Sequence, residues 1–269
     1  MMLRFNNYTV RKSLYLCCLS LFTQSVFAQI PSGYYDSANG LDDAALKSAL
    51  NEIIDGHTEY PYTSTGTDVW DILKVSDRDP NNSSNVICVY TQYSIDAAQE
   101  YNDGDGWSRE HVWAKSHGDF GTVTGTGTDL HNLKPEDVSV NSTRNNKDFD
   151  DGGTPVTDSS PPTGYDGSTD CLTTSTTWEP PDGVKGDVAR IIFYMVTRYE
   201  GENSEVDLEM VNYADSAPAL EPYHGVQSTL YSWHVADPVD DFERNRNDII
   251  HDYQDNRNPF IDHPEYANY

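Results

Sequence analysis

The stretch DLHNLKPEDVSVNSTRNN, Asp129–Asn146, decides the fold. Asp129 to Leu133 is short and follows a Gly/Thr-rich loop, which suits a strand. Pro135, Glu136 and Asp137 then suit the first turn of a short helix, where proline and acids are favoured. On that helix Asn141 and Arg144, three apart, share a face. Upstream lies GWSREHVWAKSH, Gly106–His117, whose first part reads as a second strand ending at His111. Pairing the two strands gives strand, loop, strand, helix, with Glu110, His111 and Asn141 converging.

Around this unit the chain reads as one α+β domain. Arg4, Arg11 and Lys12, the apolar run Leu14–Phe22 and the small residues of Ser25-Val26-Phe27-Ala28 predict a signal peptide cut after Ala28. Residues 29–269 form the mature domain, too polar elsewhere to cross a membrane. Export predicts a secreted or periplasmic protein, and nothing in the sequence requires more than a monomer. Helices are expected at Leu41–Ile54, Asp187–Tyr199 and from about Pro238 to Gln254, with a strand at Asn85–Tyr93. Residues 29–35 read as an extended lead, and residues 154–183, rich in Ser, Thr, Pro, Gly and Asp, as a long loop. Cys88 and Cys171 remain in the mature chain; whether they pair is open.

The cut removes three of the 17 basic residues and none of the 44 acidic ones, leaving a formal charge of −30. A field of this sign repels nucleic acid at low salt, and the repulsion fades as salt shortens the Debye length. A saline habitat and ordinary surface solubility both fit such acidity. Yet the cluster at Arg109-Glu110-His111 carries the groups that phosphodiester hydrolysis requires. A neutral imidazole takes a proton from water near neutral pH. Mg²⁺ neutralises charge on the phosphoryl oxygens, keeps several waters, and needs only a few oxygen ligands. Glu110 and Asn141 offer a carboxylate and an amide, and His111 the base. Neighbours on a regular strand point to opposite faces, so the strand must bulge or end at Glu110–His111.

REHVW, DLHNLKP and NSTRNN, in this order, resemble the bacterial endonuclease I family of exported, metal-dependent nucleases, within the ββα-metal (His-Me finger) group. The similarity extends to WEPPDGVKGDVARIIFYMVTRYEG from Trp178 and to NRNDIIHDYQDNRNPFIDHPEY near the end. The resemblance implies a ββα-metal finger packed with additional helices and cleavage of DNA, in some members RNA, with little sequence preference. It implies His111 as general base and Glu110 and Asn141 as ligands of Mg²⁺, with Mn²⁺ and Ca²⁺ as alternatives. Arg144 and Asn146 would complete the finger helix. The span from His111 to Asn141 is shorter than in periplasmic members and has no arginine. The cation facing the transition state is therefore open among Arg109, Arg144 and Lys115. Phosphate contacts would come from a basic groove of Arg109, Lys115, Lys134, Arg144 and Lys147.

Other residues read more plainly. Asp129 and His131 orient the base or metal waters, or lock the hairpin by buried hydrogen bonds. His117 is expected to be exposed, Arg190 and Arg198 to be solvated helix charges, and Asn256–Pro259 to be a helix stop. Asp77-x-Asp79-x-Asn81 and Asp103-x-Asp105 read as polar turns, since neither has EF-hand spacing. Zinc-protease and structural-zinc motifs are absent. The 18 tyrosines and 5 tryptophans keep a carbohydrate- or surface-binding module as a rival, and small phosphodiesters as rival substrates.

Overall fold

Strand gives way to helix at Asp137. Its backbone pairs with Trp107, while its carboxylate accepts the N–H groups of Ser139 (2.8 Å) and Val140 (3.1 Å). Such a cap satisfies first-turn donors and contributes about 1 kcal/mol. In the computed structural model, which describes residues 30–214 and 221–268, the finger is thus Trp107–His111, Leu133–Asp137 and helix Val138–Arg144. The second strand and the helix both begin later than the sequence suggests. Residues 129–132 form turns. Pro135 pairs opposite Arg109 while its carbonyl accepts the N–H of Val89 (2.9 Å). Tertiary pairing overrides the local preference of proline for a helix start.

The chain order is α1 (Asp43–Ile54), α2 (Val69–Ser76), β1 (Arg78–Asp79), β2 (Asn82–Ile87) and β3 (Ser94–Asp96). The finger follows as β4, β5 and α3, then β6 (Asp148–Phe149), β7 (Thr154–Thr157), β8 (Ser168–Thr173) and β9 (Thr177–Glu179). The remainder is α4 (Lys185–Arg198), β10 (Glu209–Met210), β11 (Tyr223–His224), α5 (Gln227–Ala236), α6 (Asp241–Gln254) and α7 (Pro259–Asp262). Strands β1-β2-β3 form one small sheet, β4-β5 the finger hairpin, β6-β9-β8-β7 a third sheet and β10-β11 a parallel pair. The architecture is α+β. Among the described residues no helix is long and apolar enough to cross a membrane. The proposed signal segment lies outside them.

Two apolar clusters flank the finger. Trp107 and Leu133 pack with Val69, Leu73 and Ile250, whereas Val112, Trp113 and Val140 pack with α1 and α4. The hairpin is held from both sides, which fixes the position of its end. Twelve of the fourteen α4 residues are buried, so its charges need partners. Arg190 pairs with Glu243 (2.6 Å) and Arg198 with Glu205 (2.7 Å) and Asp55 (2.9 Å). The two arginines are interior braces and not solvated helix charges.

Three further expectations change. The stretch read as a loop, residues 154–183, holds β7, β8 and β9, consistent with the strand preference of its threonines. Helix α6 starts at Asp241 with Pro238 outside it, because Asp240 and Glu243 form a reciprocal capping box. Residues 32–35 of the extended lead form turns, and a short 3-10 helix, Asp36–Ala38, follows them. Cys88 and Cys171 are both buried free thiols.

Candidate active site

A cleft of about 430 Å³ opens at the end of the hairpin, lined by Arg109, Glu110, His111, Ala114, Lys115, Ser116, Asn141, Ser142, Asn145 and Asn146. The strand brings them together through its alternation. Arg109 and His111 face Tyr62, while Ser108 and Glu110 face α3 and Tyr90. The rungs from Trp107 to His111 are one-to-one, so β4 carries no bulge. It ends at His111, whose carbonyl accepts Arg144 Nη1 (3.2 Å); Arg144 Nη2 takes the carbonyl of Val112 (2.6 Å). The strand's end is the irregularity that lets neighbours of opposite face share one cleft.

His111 is buried, with Nε2 2.9 Å from the carbonyl oxygen of Gly127. A carbonyl only accepts, so Nε2 carries the proton and Nδ1 keeps its lone pair. Burial, aided by Lys115, Arg109 and Arg144 against the pull of Gly127, lowers the imidazole to about 3. It is neutral across the physiological range. Tyr62 lies nearly parallel to the ring, 20° and 5.8 Å between centroids.

Glu110 is 2% exposed. Its Oε1 accepts the phenol of Tyr90 (2.7 Å) and lies 3.3 Å from Arg144 Nη1. Oε2 has no hydrogen bond among the described residues, yet is not a sealed orphan. Burial raises the carboxyl above its ordinary range despite Arg144 and Tyr90, so an added positive charge would stabilise it. Asn141 donates Nδ2 to Ser108 Oγ (3.0 Å), which orients the amide and leaves Oδ1 unengaged. One anionic and one amide oxygen, both at the cleft, fit a hard divalent cation that keeps most of its waters. Among the described residues no three His, Cys, Asp or Glu side chains converge to hold an ion. Asp77 is engaged by Lys134 (2.7 Å) and Arg246 (2.8 Å), and Asp79 by Ser94 and the N–H of Asn81.

The cations divide sharply. Of the fourteen Lys and Arg after residue 28, ten are ion-paired: Lys47, Lys74, Lys134, Arg144, Lys185, Arg190, Arg198, Arg244, Arg246 and Arg257. Among the described residues the four without a carboxylate partner are Arg78, Arg109, Lys115 and Lys147. Arg109 and Lys115 line the cleft and Lys147 follows Asn146, which also lines it. The basic groove read from sequence thus loses Lys134, paired with Asp77, and Arg144, which is fully buried. Arg144 braces the finger instead, stacking over Phe149 at 4.8 Å.

Asp129 and His131 lie away from the cleft. Asp129 accepts Tyr194 (2.9 Å), Tyr199 (2.8 Å) and Gln254 (3.0 Å), and His131 packs against Tyr194 with its ring tilted by 50° and centroids 4.5 Å apart. They lock the hairpin's loop to α4 and α6. His117, expected at the surface, is buried: its nitrogens face the carbonyls of Tyr223 and Asn146. Asn256 and Asn258 bind Ile54 and Arg190 carbonyls, so the helix stop is also a brace. Gly127, Tyr62 and Tyr90 are residues of the site that sequence reasoning missed. The first lies in a loop and the second about fifty residues upstream, and no local spacing links either to His111. Only the glycine-rich run 118–127 hinted at close backbone approach.

Comparison with known proteins gives the chain a family. Residues 43–265 match the Endonuclease I family. The chain is 52% identical over 237 residues to an extracellular ribonuclease of Bacillus subtilis (strain 168), covering 87% of this chain and 76% of that protein. It is 50% identical over 254 residues to an extracellular ribonuclease of Bacillus amyloliquefaciens, covering 92% and 83%.

Proposed function

Because the chain belongs to the endonuclease I family, a family of nucleases, we propose that it is an exported, metal-dependent endonuclease hydrolysing RNA and DNA with little sequence preference. The names of the two Bacillus relatives favour RNA as the first substrate. The sequence resemblance favours DNA as the second. The observation that carries the reading is the convergence of Glu110, His111 and Asn141 in one cleft also lined by Arg109 and Lys115.

The chemistry follows from the atoms left unengaged. His111 Nδ1 takes a proton from water as the water oxygen attacks phosphorus; the P–O3′ bond breaks, giving a 5′-phosphate and a 3′-hydroxyl. Gly127 holds the tautomer that makes this direction available. Glu110 and Asn141 would hold Mg²⁺, with Mn²⁺ or Ca²⁺ as alternatives, which supplies positive charge against the phosphoryl and leaving oxygens. Arg109 Nη1 is engaged by the Tyr62 carbonyl and Thr63 Oγ1 (3.1 Å), and the guanidinium's remaining edge faces phosphate. Lys115 and Lys147 hold the strand by backbone contacts that read no bases. A water nucleophile has no need of a 2′-hydroxyl, so DNA and RNA are both competent.

End-labelled RNA and DNA incubated with Mg²⁺, with EDTA, and with His111→Ala protein test this. Cleavage leaving 5′-phosphates is expected in the first condition, lost in EDTA and slowed about 10²–10⁴-fold in His111→Ala. RNA products ending in 2′,3′-cyclic phosphate would overturn the water mechanism, and undiminished cleavage in EDTA the metal.

A further inference from the structure

The aromatic wall beside the cleft has a role that the acid–base machinery does not use. Trp70, Arg109, Tyr62 and His111 form a continuous stack. The Arg109 guanidinium lies 4.0 Å from the Trp70 ring centroid and 3.4 Å from that of Tyr62. Tyr62 in turn lies parallel to the His111 imidazole. At its far end Trp70 packs edge-on against the fully buried Trp107, with centroids 4.6 Å apart. The stack therefore runs from the core behind the hairpin to the imidazole.

The chain segment carrying Tyr62 is tied to the strand it supports. Arg109 donates Nη1 to the Tyr62 carbonyl and to Thr63, and the N-cap Asp68 of α2 accepts the N–H of Ser64 (2.8 Å). The flat Tyr62 ring contacts both Arg109 and His111, and its hydroxyl also feels the Arg109 guanidinium. Among the described residues the His111 ring has one hydrogen bond, from Nε2 to Gly127. A single bond leaves the ring free to rotate about it, and Nδ1 moves with that rotation. Aromatic and cation–π contacts of this kind hold a ring in one orientation.

Resting on the nuclease reading above, we infer that Tyr62 is a positioning residue: its ring, held by Arg109 and Trp70, sets the plane of His111 and so the direction of Nδ1. Arg109 and the base are thereby oriented by one element, which keeps the phosphate contact and the proton acceptor in fixed relation. A misplacement near 1 Å costs about 100-fold in rate.

The test is kinetic, on the full mature protein with Mg²⁺ and a defined RNA substrate. Tyr62→Leu is expected to lower kcat about 10- to 100-fold with KM within about three-fold, and Tyr62→Phe to restore kcat to within about two-fold. In a His111→Ala background Tyr62→Leu should cost nothing further, because residues acting through one group are not additive. If Tyr62→Leu melts early, Tyr62→Met, which retains bulk without a flat face, carries the same expectation. Equal losses in both backgrounds, or failure of Tyr62→Phe to rescue, would overturn the inference. An unaffected His111→Ala protein would instead overturn the nuclease mechanism itself.

Discussion

Nε2 of His111 lies 2.9 Å from the carbonyl oxygen of Gly127, and the loop can come that close because residue 127 has no side chain. A Cβ there would stand 2.9 Å from the Gly121 carbonyl oxygen and from the backbone of Thr122. Backbone would have to move. Gly127→Ala should therefore displace the carbonyl that fixes the tautomer and lower kcat about 10-fold or more, with a smaller effect on KM. Steady-state kinetics beside a melting curve decide it. A folded Gly127→Ala protein with unchanged kcat would show that the carbonyl does not set the base.

Glu110 and Asn141 differ in what else they hold, which separates metal binding from folding. Asn141→Ala removes a ligand oxygen and one bond to Ser108, so Mn²⁺ affinity by calorimetry should fall about 10-fold or more with little change in melting. Glu110→Gln should weaken Mn²⁺ binding further and also destabilise the protein, because buried Arg144 loses its carboxylate; breaking such a pair costs about 3–5 kcal/mol. Equal Mn²⁺ affinity in wild type and Asn141→Ala would remove Asn141 from the site.

Lys115 and Lys147 are lone positive charges on a strongly acidic protein. If they meet phosphates, Lys115→Ala and Lys147→Ala should raise KM several-fold at low salt while leaving kcat near wild type. Each should flatten the dependence of log(1/KM) on log[salt] by about 0.7–0.9, and the difference should vanish near 1 M salt, where the Debye length is about 3 Å. Salt titrations of cleavage supply the slopes. A slope identical to wild type would place these lysines outside the substrate path.

The legibility of this chain depends on how local each determinant is. α1, α4 and α6 announce themselves because an apolar face repeats within a dozen residues. The finger was visible as a strand–loop–strand–helix, but its register was not: Pro135–Asp137 look like a helix start until Trp107–Arg109 pair with them. Charges misled most. Arg190 and Arg198 read as solvated helix charges and Lys134 and Arg144 as groove cations, yet each is buried against a carboxylate from another segment. The partners lie 34 to 57 residues away for three of them, beyond any local pattern. Tyr62 escaped for the same reason, since only the folded chain sets it beside His111.

Glu136 gives the chain a stability profile set by protonation. Burial pushes this carboxyl up to about 8 from 4.5, with Glu110 and Asp137 adding to the rise and the N–H of Tyr90 and the hydroxyl of Thr91 opposing it. Its Oε1 is a buried atom without a partner, which a protonated acid tolerates and an anion does not. With the folded value above the unfolded one, the folded state holds the proton more tightly. That stabilisation is complete below pH 4.5 and is lost as pH rises toward 8. On the acid side His131 and Asp129 act in the opposite sense. Burial lowers the imidazole to about 4 from 6.5; the carboxyl, despite burial, is held near 2 by His57, His131 and its hydrogen bonds. Their contributions fall as pH drops below 6.5 and below 3.8. Glu136→Gln, which mimics the protonated acid at every pH, should match the wild-type melting temperature near pH 4.5 and exceed it by several degrees at pH 8–9, at about 2–4 °C per kcal/mol. Thermal melts across that range read the divergence directly. Parallel curves would mean that Glu136 folds as an anion.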